Sequence, residues 1–140
     1  MARPSAVLDT NVVVSAYLNP DGYERFVLDL GRARKFQIYI STEILHEYSG
    51  VLRREKFGIP PQLVEAALDL IRKAARMVKP SRRVRAARDP EDNTFLECAR
   101  ESDADYLVTG NQRHFPKRFG RTRVVNAREF LEGIIPTLRR

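Results

Sequence analysis

The 140-residue sequence has little of the chemistry that disulfides, cysteine-rich zinc sites and membrane spans require. Cys98 is its single cysteine, so neither an internal disulfide nor a cysteine-rich zinc site can form. Zinc would need histidine ligands instead, and the sequence has only His46 and His114. No apolar run approaches the roughly 20 residues that cross a bilayer. The segment Met1–Ser5 leads directly into an apolar run, with no room for a signal peptide. We therefore expect a cytoplasmic protein that does not associate with membranes.

Basic residues outnumber acidic ones, with 25 Lys and Arg against 18 Asp and Glu, which gives a net charge of +7. This balance favours polyanionic partners, and nucleic acid is the first of them, although a merely soluble basic protein gives the same balance. Two segments concentrate the basic side chains, and we interpret both as nucleic-acid-binding loops. The first contains Arg82, Arg83, Arg85 and Arg88. The second contains Arg113, His114, Lys117 and Arg118, followed by Arg121 and Arg123.

Apolar runs alternate with helical patterns along the chain. The runs predict strands at residues 7–8, 36–40, 77–78, 105–110 and 124–125. Helices are expected between and after them, and Thr10 or Asn11 starts the first. Strands that alternate with helices form a parallel sheet with helices on both faces. The sequence therefore predicts one α/β domain over residues 1–140, with a small, mainly parallel sheet of about four to five strands.

Two of the predicted helices show apolar residues at helical spacing, and these define their expected buried faces. The face of the helix that starts near Asp21 contains Tyr23, Phe26, Val27 and Leu30. A later helix opens at Pro60-Pro61, because proline suits the first helical turn. Its expected buried face contains Leu63, Ala67, Leu70, Ile71 and Ala74.

Asp9 ends the first buried strand, where a carboxylate must emerge because burying an unpaired charge is very costly. In open parallel sheets, ligands bind outside the carboxyl ends of the strands. Thr109 and Asn111 follow another strand in the same sense and belong at the same edge. Asp103 and Asp105 precede that strand, so we place them at the opposite edge as turn and solvent residues.

Helical spacing directs two further acids toward the same edge. Glu47 lies three residues after Ile44 and four before Val51, at the border of a buried face, where a glutamate paired with arginine is the alternative. Asp92 lies on an apolar helix face, although with Asp89 as the N-cap it falls at the third helical position, close to a capping box, and this role competes with a site role. Three apolar residues follow Asp92 at helical spacing, namely Phe95, Leu96 and Ala99.

These acids suggest a metal site. Clustered carboxylates repel one another, and one pKa rises unless a cation joins them. Mg²⁺ or Mn²⁺ suits carboxylate and amide oxygens, and such an ion activates water and stabilises charge at a phosphoryl centre. The candidate site consists of Asp9, Glu47 and Asp92, with Asp89, Thr10, Asn11, Thr109 and Asn111 nearby.

The sequence resembles the PIN domain family over nearly its whole length, and in particular the toxin components of toxin–antitoxin systems related to VapC. The segments that carry the resemblance are residues 7–11, Glu47, residues 89–93 with 95–99, and residues 104–111. The resemblance implies a metal-dependent endoribonuclease with a three-layer α/β/α sandwich and clustered acids. It also implies a homodimer and inhibition by a small antitoxin protein.

Asp9, Glu47 and Asp92 match the first three acids of the family pattern. By this resemblance, Asp9 and Asp92 hold the ion, Glu47 ligates it or orients the attacking water, and Thr10 supports them. Asn111 replaces the usual fourth acid, and Arg113 stands where another acid is often found. Asn111 and Asn11 would position water or ligands, and Asp89 is a substitute acid.

Two other functions remain open. The first is a module that binds RNA or a protein partner without cleavage, in which the missing fourth acid reflects lost activity. The second is a phosphatase or phospho-acceptor fold with Asp9 as nucleophile. Asn11 argues against it, because haloacid-dehalogenase-like enzymes need an acid at that place.

Overall fold

The computed structural model describes residues 3–138, so two residues of the Met1–Ser5 segment and residues 139–140 lie outside the described chain. The strands are β1 Ser5–Leu8, β2 Gln37–Ile40, β3 Arg76–Met77, β4 Tyr106–Val108, β5 Arg118–Phe119 and β6 Thr122–Val125. The helices are α1 Thr10–Leu18, α2 Tyr23–Arg32, α3 Thr42–Leu52, α4 Pro61–Ala74, α5 Asn93–Ser102 and α6 Ala127–Leu138. Among the described residues, no helix combines the length and the apolar character that a membrane span needs.

The strands form one sheet in the order β3-β2-β1-β4-β6-β5, and all neighbours are parallel except β5 and β6. The predicted α/β class with a mainly parallel sheet is confirmed. The sheet has six strands instead of about four to five, because β5 forms within a segment that the sequence suggested was irregular. Gly120 allows the tight turn from β5 to β6, since its φ of +60° is a conformation that glycine adopts without strain.

β1 occupies the middle of the sheet, between β2 and β4, and all four of its residues are buried. This explains its continuous apolar character, because a strand covered on both faces has no polar side. β1 ends at Leu8, whose carbonyl accepts a hydrogen bond of 2.5 Å from the buried Tyr48 hydroxyl. Asp9 then donates its backbone N–H to Val108 O and becomes the N-cap of α1. The sheet thus has a carboxyl rim, which is the edge where Asp9 follows β1 and Thr109 follows β4.

The buried faces of α2 and α4 differ from the predicted ones. In α2, Val27 and Leu28 are buried, whereas Tyr23 and Phe26 are 55% and 46% exposed. In α4, Leu63 and Leu70 are exposed. The buried residues of α4 are Val64, Ala67, Leu68, Ile71 and Ala74. Some apolar residues in these helices are adjacent in sequence, so spacing alone does not determine which of them is buried. The result is a set of apolar side chains on the outer surface.

The first arginine-rich segment has no regular structure of its own and is held along α5 by side chains spaced four residues apart. Glu101 accepts hydrogen bonds from Ser81, and Glu97 accepts one from the N–H of Val84. Asn93 Oδ1 accepts the N–H groups of Ala86 and Ala87. Residues four apart lie on one side of a helix, so this side of α5 fixes the path of residues 81–87.

Candidate active site

Asp9 is the most buried acid of the candidate site, with 5% of its surface exposed. Its carboxylate accepts hydrogen bonds from Thr10 N at 2.7 Å and from the Thr109 hydroxyl at 2.7 Å. Asn11 Nδ2 donates a third, at 3.2 Å. The position follows from the fold, because β1 carries Asp9 to the carboxyl rim and β4 carries Thr109 to the same level. The hydrogen-bond donors to Asp9 therefore come from the ends of two strands. Thr10 and Asn11 follow β1, and Thr109 follows β4.

Glu47 joins the site from α3 through Thr10. The Thr10 hydroxyl donates a hydrogen bond to Glu47 Oε2, which ties the first turn of α1 to α3. Glu47 is half-buried, as its place at the border of the apolar face of α3 predicts. His46, the preceding residue, is exposed. Thr10 thus contacts both acids, because its hydroxyl donates to Glu47 and its backbone N–H donates to Asp9.

Asp92 lies at the end of the short 3-10 turn Pro90–Asp92 that precedes α5. Its side chain is 19% exposed, and Asp92 Oδ2 lies 3.5 Å from Nδ1 of His114. Asp89 caps this turn by accepting the N–H of Glu91, so the capping role predicted for Asp89 is confirmed. Because Asp89 carries the cap, the Asp92 carboxylate remains available to the site.

Burial raises the pKa of all three acids, and a neighbouring carboxylate adds to each increase. Burial raises the pKa of Asp9 to about 6, and the Asp92 and Glu47 carboxylates add to the increase. Burial also raises the pKa of Glu47, with a further contribution from Asp92. For Asp92, burial is the main cause of the raised pKa, the Asp89 carboxylate adds to it, and His114 opposes it. The Asp92 carboxylate therefore contributes to the raised pKa of both of the other acids, Asp9 and Glu47.

A chain of hydrogen bonds closes the rim between β1 and β4. Thr109 Oγ1 accepts the N–H of Asn111 at 2.9 Å while its hydroxyl donates to Asp9. Asn11 Oδ1 accepts the N–H of Gly110 at 3.0 Å. Three of the supporting residues predicted from the sequence, Asn11, Thr109 and Asn111, therefore belong to one hydrogen-bond network. Asn111 enters this network through its backbone, and its side chain is exposed.

The donor set fits a hard divalent cation in its chemistry. Asp9, Glu47 and Asp92 offer carboxylate oxygens, and a cation would relieve the repulsion that raises their pKa values. Within residues 3–138, however, no group of three or more His, Cys, Asp or Glu side chains is gathered closely enough to hold an ion as it stands. Asp9 and Glu47 each accept a hydrogen bond from a threonine hydroxyl. A bound ion would compete with these hydrogen bonds for the carboxylate oxygens.

The predicted nucleic-acid-binding residues divide between the two ends of the sheet. Arg88 donates its N–H to His114 O, which joins the two basic segments next to Asp92. Arg82, in contrast, lies beside Glu101 at the far end of α5, about 12 Å along the helix from Asn93. Arg118 pairs with Arg123 at the level of Tyr106, where β4 begins. The other members, Arg83, Arg85, Arg113 and Lys117, are exposed.

Two structural roles were not predicted from the sequence. The Tyr48 hydroxyl donates a hydrogen bond to the carbonyl of Leu8, directly before Asp9. Asp105 lies at the opposite edge of the sheet, as expected, but it is not a simple solvent residue. It accepts hydrogen bonds from Ser5 N and Ser5 Oγ and pairs with Arg121 at 2.8 Å. Neither role has a local sequence signal, because each partner lies far away in the chain.

Fold and site together define an α/β protein with an acidic site at the carboxyl ends of a mainly parallel sheet. The PIN domain family profile matches residues 5–113 of the chain. A protein of Methanocaldococcus jannaschii, described as uncharacterized, is 31% identical over 110 residues, covering 76% of this chain and 70% of that protein. The chain therefore belongs to the PIN domain family.

Solved structures agree on the fold. A chain from the crystal structure of VapBC2 from Rickettsia felis, which is bound to a DNA fragment from the promoter, matches with a TM-score of 0.55. The match covers 86% of this chain and 98% of that chain at 19% identity. The predicted relation to PIN domains is thus confirmed by family profile and by fold.

Proposed function

We propose that this chain is a single-domain, cytoplasmic, metal-dependent endoribonuclease and the toxin component of a toxin–antitoxin system. The observation that carries the proposal is that Asp9, Glu47 and Asp92 come from separate elements and interact: Thr10 donates hydrogen bonds to Asp9 and Glu47, and the Asp92 carboxylate adds to the raised pKa of both. Their pKa values are all raised, which is typical of catalytic acid clusters. Membership of the PIN domain family supports a nuclease.

Each residue of the cluster has a role in this proposal. Asp9 and Asp92 hold a Mg²⁺ or Mn²⁺ ion, which supplies charge neutralisation and water activation at the phosphodiester. Glu47 ligates the ion or orients water, and the Thr10 hydroxyl fixes its carboxylate. Asn11 and Asn111 position water or ligands with their amides. Arg88 lies on the first basic segment and Arg113 on the second, and His114 joins the two segments next to Asp92. Both arginines support binding of the RNA backbone there.

Asp9→Asn and Asp92→Asn test this function. Each removes the charge at nearly constant shape, so Mn²⁺-dependent cleavage of RNA should be lost while the circular dichroism spectrum stays native. Asp21→Asn is the matched control, because Asp21 is exposed and lies outside the rim. Undiminished cleavage by a purified Asp9→Asn, Asp92→Asn double variant would reject the assignment.

A second function, RNA or protein binding without cleavage, is favoured by one specific observation. Asn111 adds no charge where a fourth acid would stand, and no ready-made metal cluster exists within residues 3–138. This function predicts RNA binding that EDTA leaves unchanged and no Mn²⁺-dependent cleavage at any ion concentration. Any cleavage that Asp9→Asn abolishes decides for the nuclease.

The partners proposed are a small antitoxin protein and a second copy of the chain. The α2 and α4 helices pack together and expose Tyr23, Phe26, Leu63 and Leu70. Exposed apolar side chains on two helices that pack together are candidates for a protein interface. Phe26→Glu should convert a dimer to a monomer in light scattering or abolish antitoxin binding. If both assemblies persist, this surface is not the interface.

A further inference from the structure

The edge of the sheet opposite the carboxyl rim carries a concentration of basic side chains around a groove of about 810 Å³. We call it the amino-edge groove, because it lies where β1 and β4 begin. Five basic residues line it, namely Arg3, Lys35, Arg118, Arg121 and Arg123. Asp105 is the one acid among the described residues that line it, and Arg121 already pairs with it. The groove therefore retains a strong positive charge.

Three of these basic residues are available to a ligand. Within residues 3–138, no carboxylate pairs with Lys35, Arg118 or Arg123, and all three side chains are exposed. The structure gives them no internal role, in contrast to Arg3, which donates to the backbone carbonyl of Arg34 at 2.7 Å. Like charges gathered without partners cost free energy unless an anion joins them.

The positive surface continues along the same edge. A neighbouring cavity is lined by Arg34, Lys73 and Arg76, together with Arg3, which it shares with the amino-edge groove. Because strands lie about 4.8 Å apart, the six strands of the sheet span about 24 Å. A strip of this length suits a linear polyanion rather than a compact one such as free phosphate.

We propose that the amino-edge groove binds the phosphate backbone of RNA as a second contact surface, remote from the acids. The proposal rests on RNA being the partner of this chain. Arginine, which supplies four of the five basic residues, forms bidentate contacts with phosphate. The apolar residues of the groove, including Tyr106, are buried or half-buried, so nothing there inserts into a bilayer or offers an open stacking face for bases. Binding is therefore independent of sequence and sensitive to salt.

The location distinguishes this surface from the candidate active site. Asp105 precedes Thr109 by four strand residues, which places the groove about 13 Å from the level of Asp9. An RNA that contacts both ends must extend around the molecule. The groove would thus favour long or folded RNA over short oligonucleotides.

The test is RNA binding by a groove triple variant, Lys35→Gln, Arg118→Gln and Arg123→Gln. A control triple variant, Arg53→Gln, Lys56→Gln and Arg128→Gln, removes the same charge from exposed sites outside the groove. Fluorescence anisotropy of a labelled RNA hairpin is measured in EDTA over a range of salt concentrations. The groove variant should bind at least about tenfold more weakly, with a salt slope reduced by about two to three. The control variant should bind nearly as the wild type does.

Equal affinities of the two triple variants, both with wild-type unfolding midpoints, would overturn the proposal. So would loss of binding to anionic vesicles in the groove variant with RNA affinity unchanged, because the groove would then serve another polyanion. Cleavage of the same hairpin by the wild type with Mn²⁺ is measured separately. Absent cleavage would reject the nuclease, whereas the difference between the triple variants would still establish the groove.

Discussion

The Thr109 hydroxyl donates a hydrogen bond of 2.7 Å to Asp9 Oδ2, between residues that are 100 positions apart in the chain. This bond favours the ionised carboxylate and lowers the pKa of Asp9 against the effect of burial. The same hydroxyl oxygen accepts the N–H of Asn111. Thr109 therefore controls both the charge of Asp9 and the path of the chain beyond β4.

Thr109→Val removes the hydroxyl at nearly constant volume and should raise the pKa of Asp9 above about 6. A hydrogen bond to a charged group contributes about 1.5 kcal/mol, which corresponds to about one pKa unit. The acidic limb of the pH profile of RNA cleavage should move to higher pH by about that amount. Thr109→Ser keeps the donor and should keep the wild-type profile. An unchanged profile in Thr109→Val would show that the bond does not control Asp9.

Asp9 should make folding stability depend on pH. Its pKa rises from 3.8 to about 6 in the folded state, so the folded state binds the proton more tightly than the unfolded state. The stabilisation is complete below pH 3.8 and is lost as the pH rises through 6. The total change is at most about 3 kcal/mol.

Asp9→Asn cannot titrate, so its free energy of unfolding relative to wild type should increase between pH 4.5 and pH 7.5. Urea unfolding in EDTA measures this difference at each pH. Asp21→Asn serves as the control and should show a constant difference. A constant difference for Asp9→Asn as well would mean that the carboxylate is not destabilised by burial.

Divalent ions should stabilise the fold, because an ion that joins the three acids binds only the folded chain. At an ion concentration of 100 times the dissociation constant, the gain is about 2.7 kcal/mol. Mn²⁺ should therefore raise the melting temperature of the wild type at pH 7.5. Asp92→Asn should lose this increase, while Asp21→Asn should retain it. Equal increases in all three proteins would place the ion elsewhere.

Two tyrosines with buried hydroxyl groups, Tyr48 and Tyr17, provide a matched test of hydrogen bonding. Tyr48→Phe leaves the Leu8 carbonyl without the hydroxyl that donates to it at 2.5 Å. Leaving a buried acceptor unpaired costs about 1 to 3 kcal/mol. The hydroxyl of Tyr17 is buried and has no hydrogen-bond partner among the described residues, so Tyr17→Phe should be neutral or stabilising. Urea unfolding compares the two variants, and equal losses would contradict this account.

Much of the site could be predicted from local sequence rules. The position of Asp9 was predicted because an unpaired carboxylate must lie where a buried strand ends. The position of Asp92 was predicted because helical spacing places it on an apolar face. Thr109 followed from the parallel order of the strands. These inferences need only the period of an element and the direction of a strand. In the structure, the Asp92 carboxylate adds to the raised pKa values of Asp9 and Glu47.

Other features depended on packing partners that the sequence does not reveal. The buried faces of α2 and α4 differ from prediction, because the neighbouring elements decide which of two adjacent apolar residues turns inward. Arg118 and His114 are close in sequence, yet the chain between them runs from the carboxyl rim to the start of β6, so they lie near different ends of the sheet. β5 has two residues, too few for any periodic pattern.

The central place of β1 has a consequence for synthesis on the ribosome. β1 is made before the other described strands, yet its partner β4 begins at Tyr106. At about 5 to 20 residues per second, a delay on the order of 5 to 20 seconds separates the two. During that time Asp9 lacks the hydrogen bond from Thr109, and β1 lacks the neighbouring strand β4. A nascent chain that has not yet reached β4 should therefore carry no assembled carboxyl rim, because Asp9 meets Thr109 only once β4 has been made.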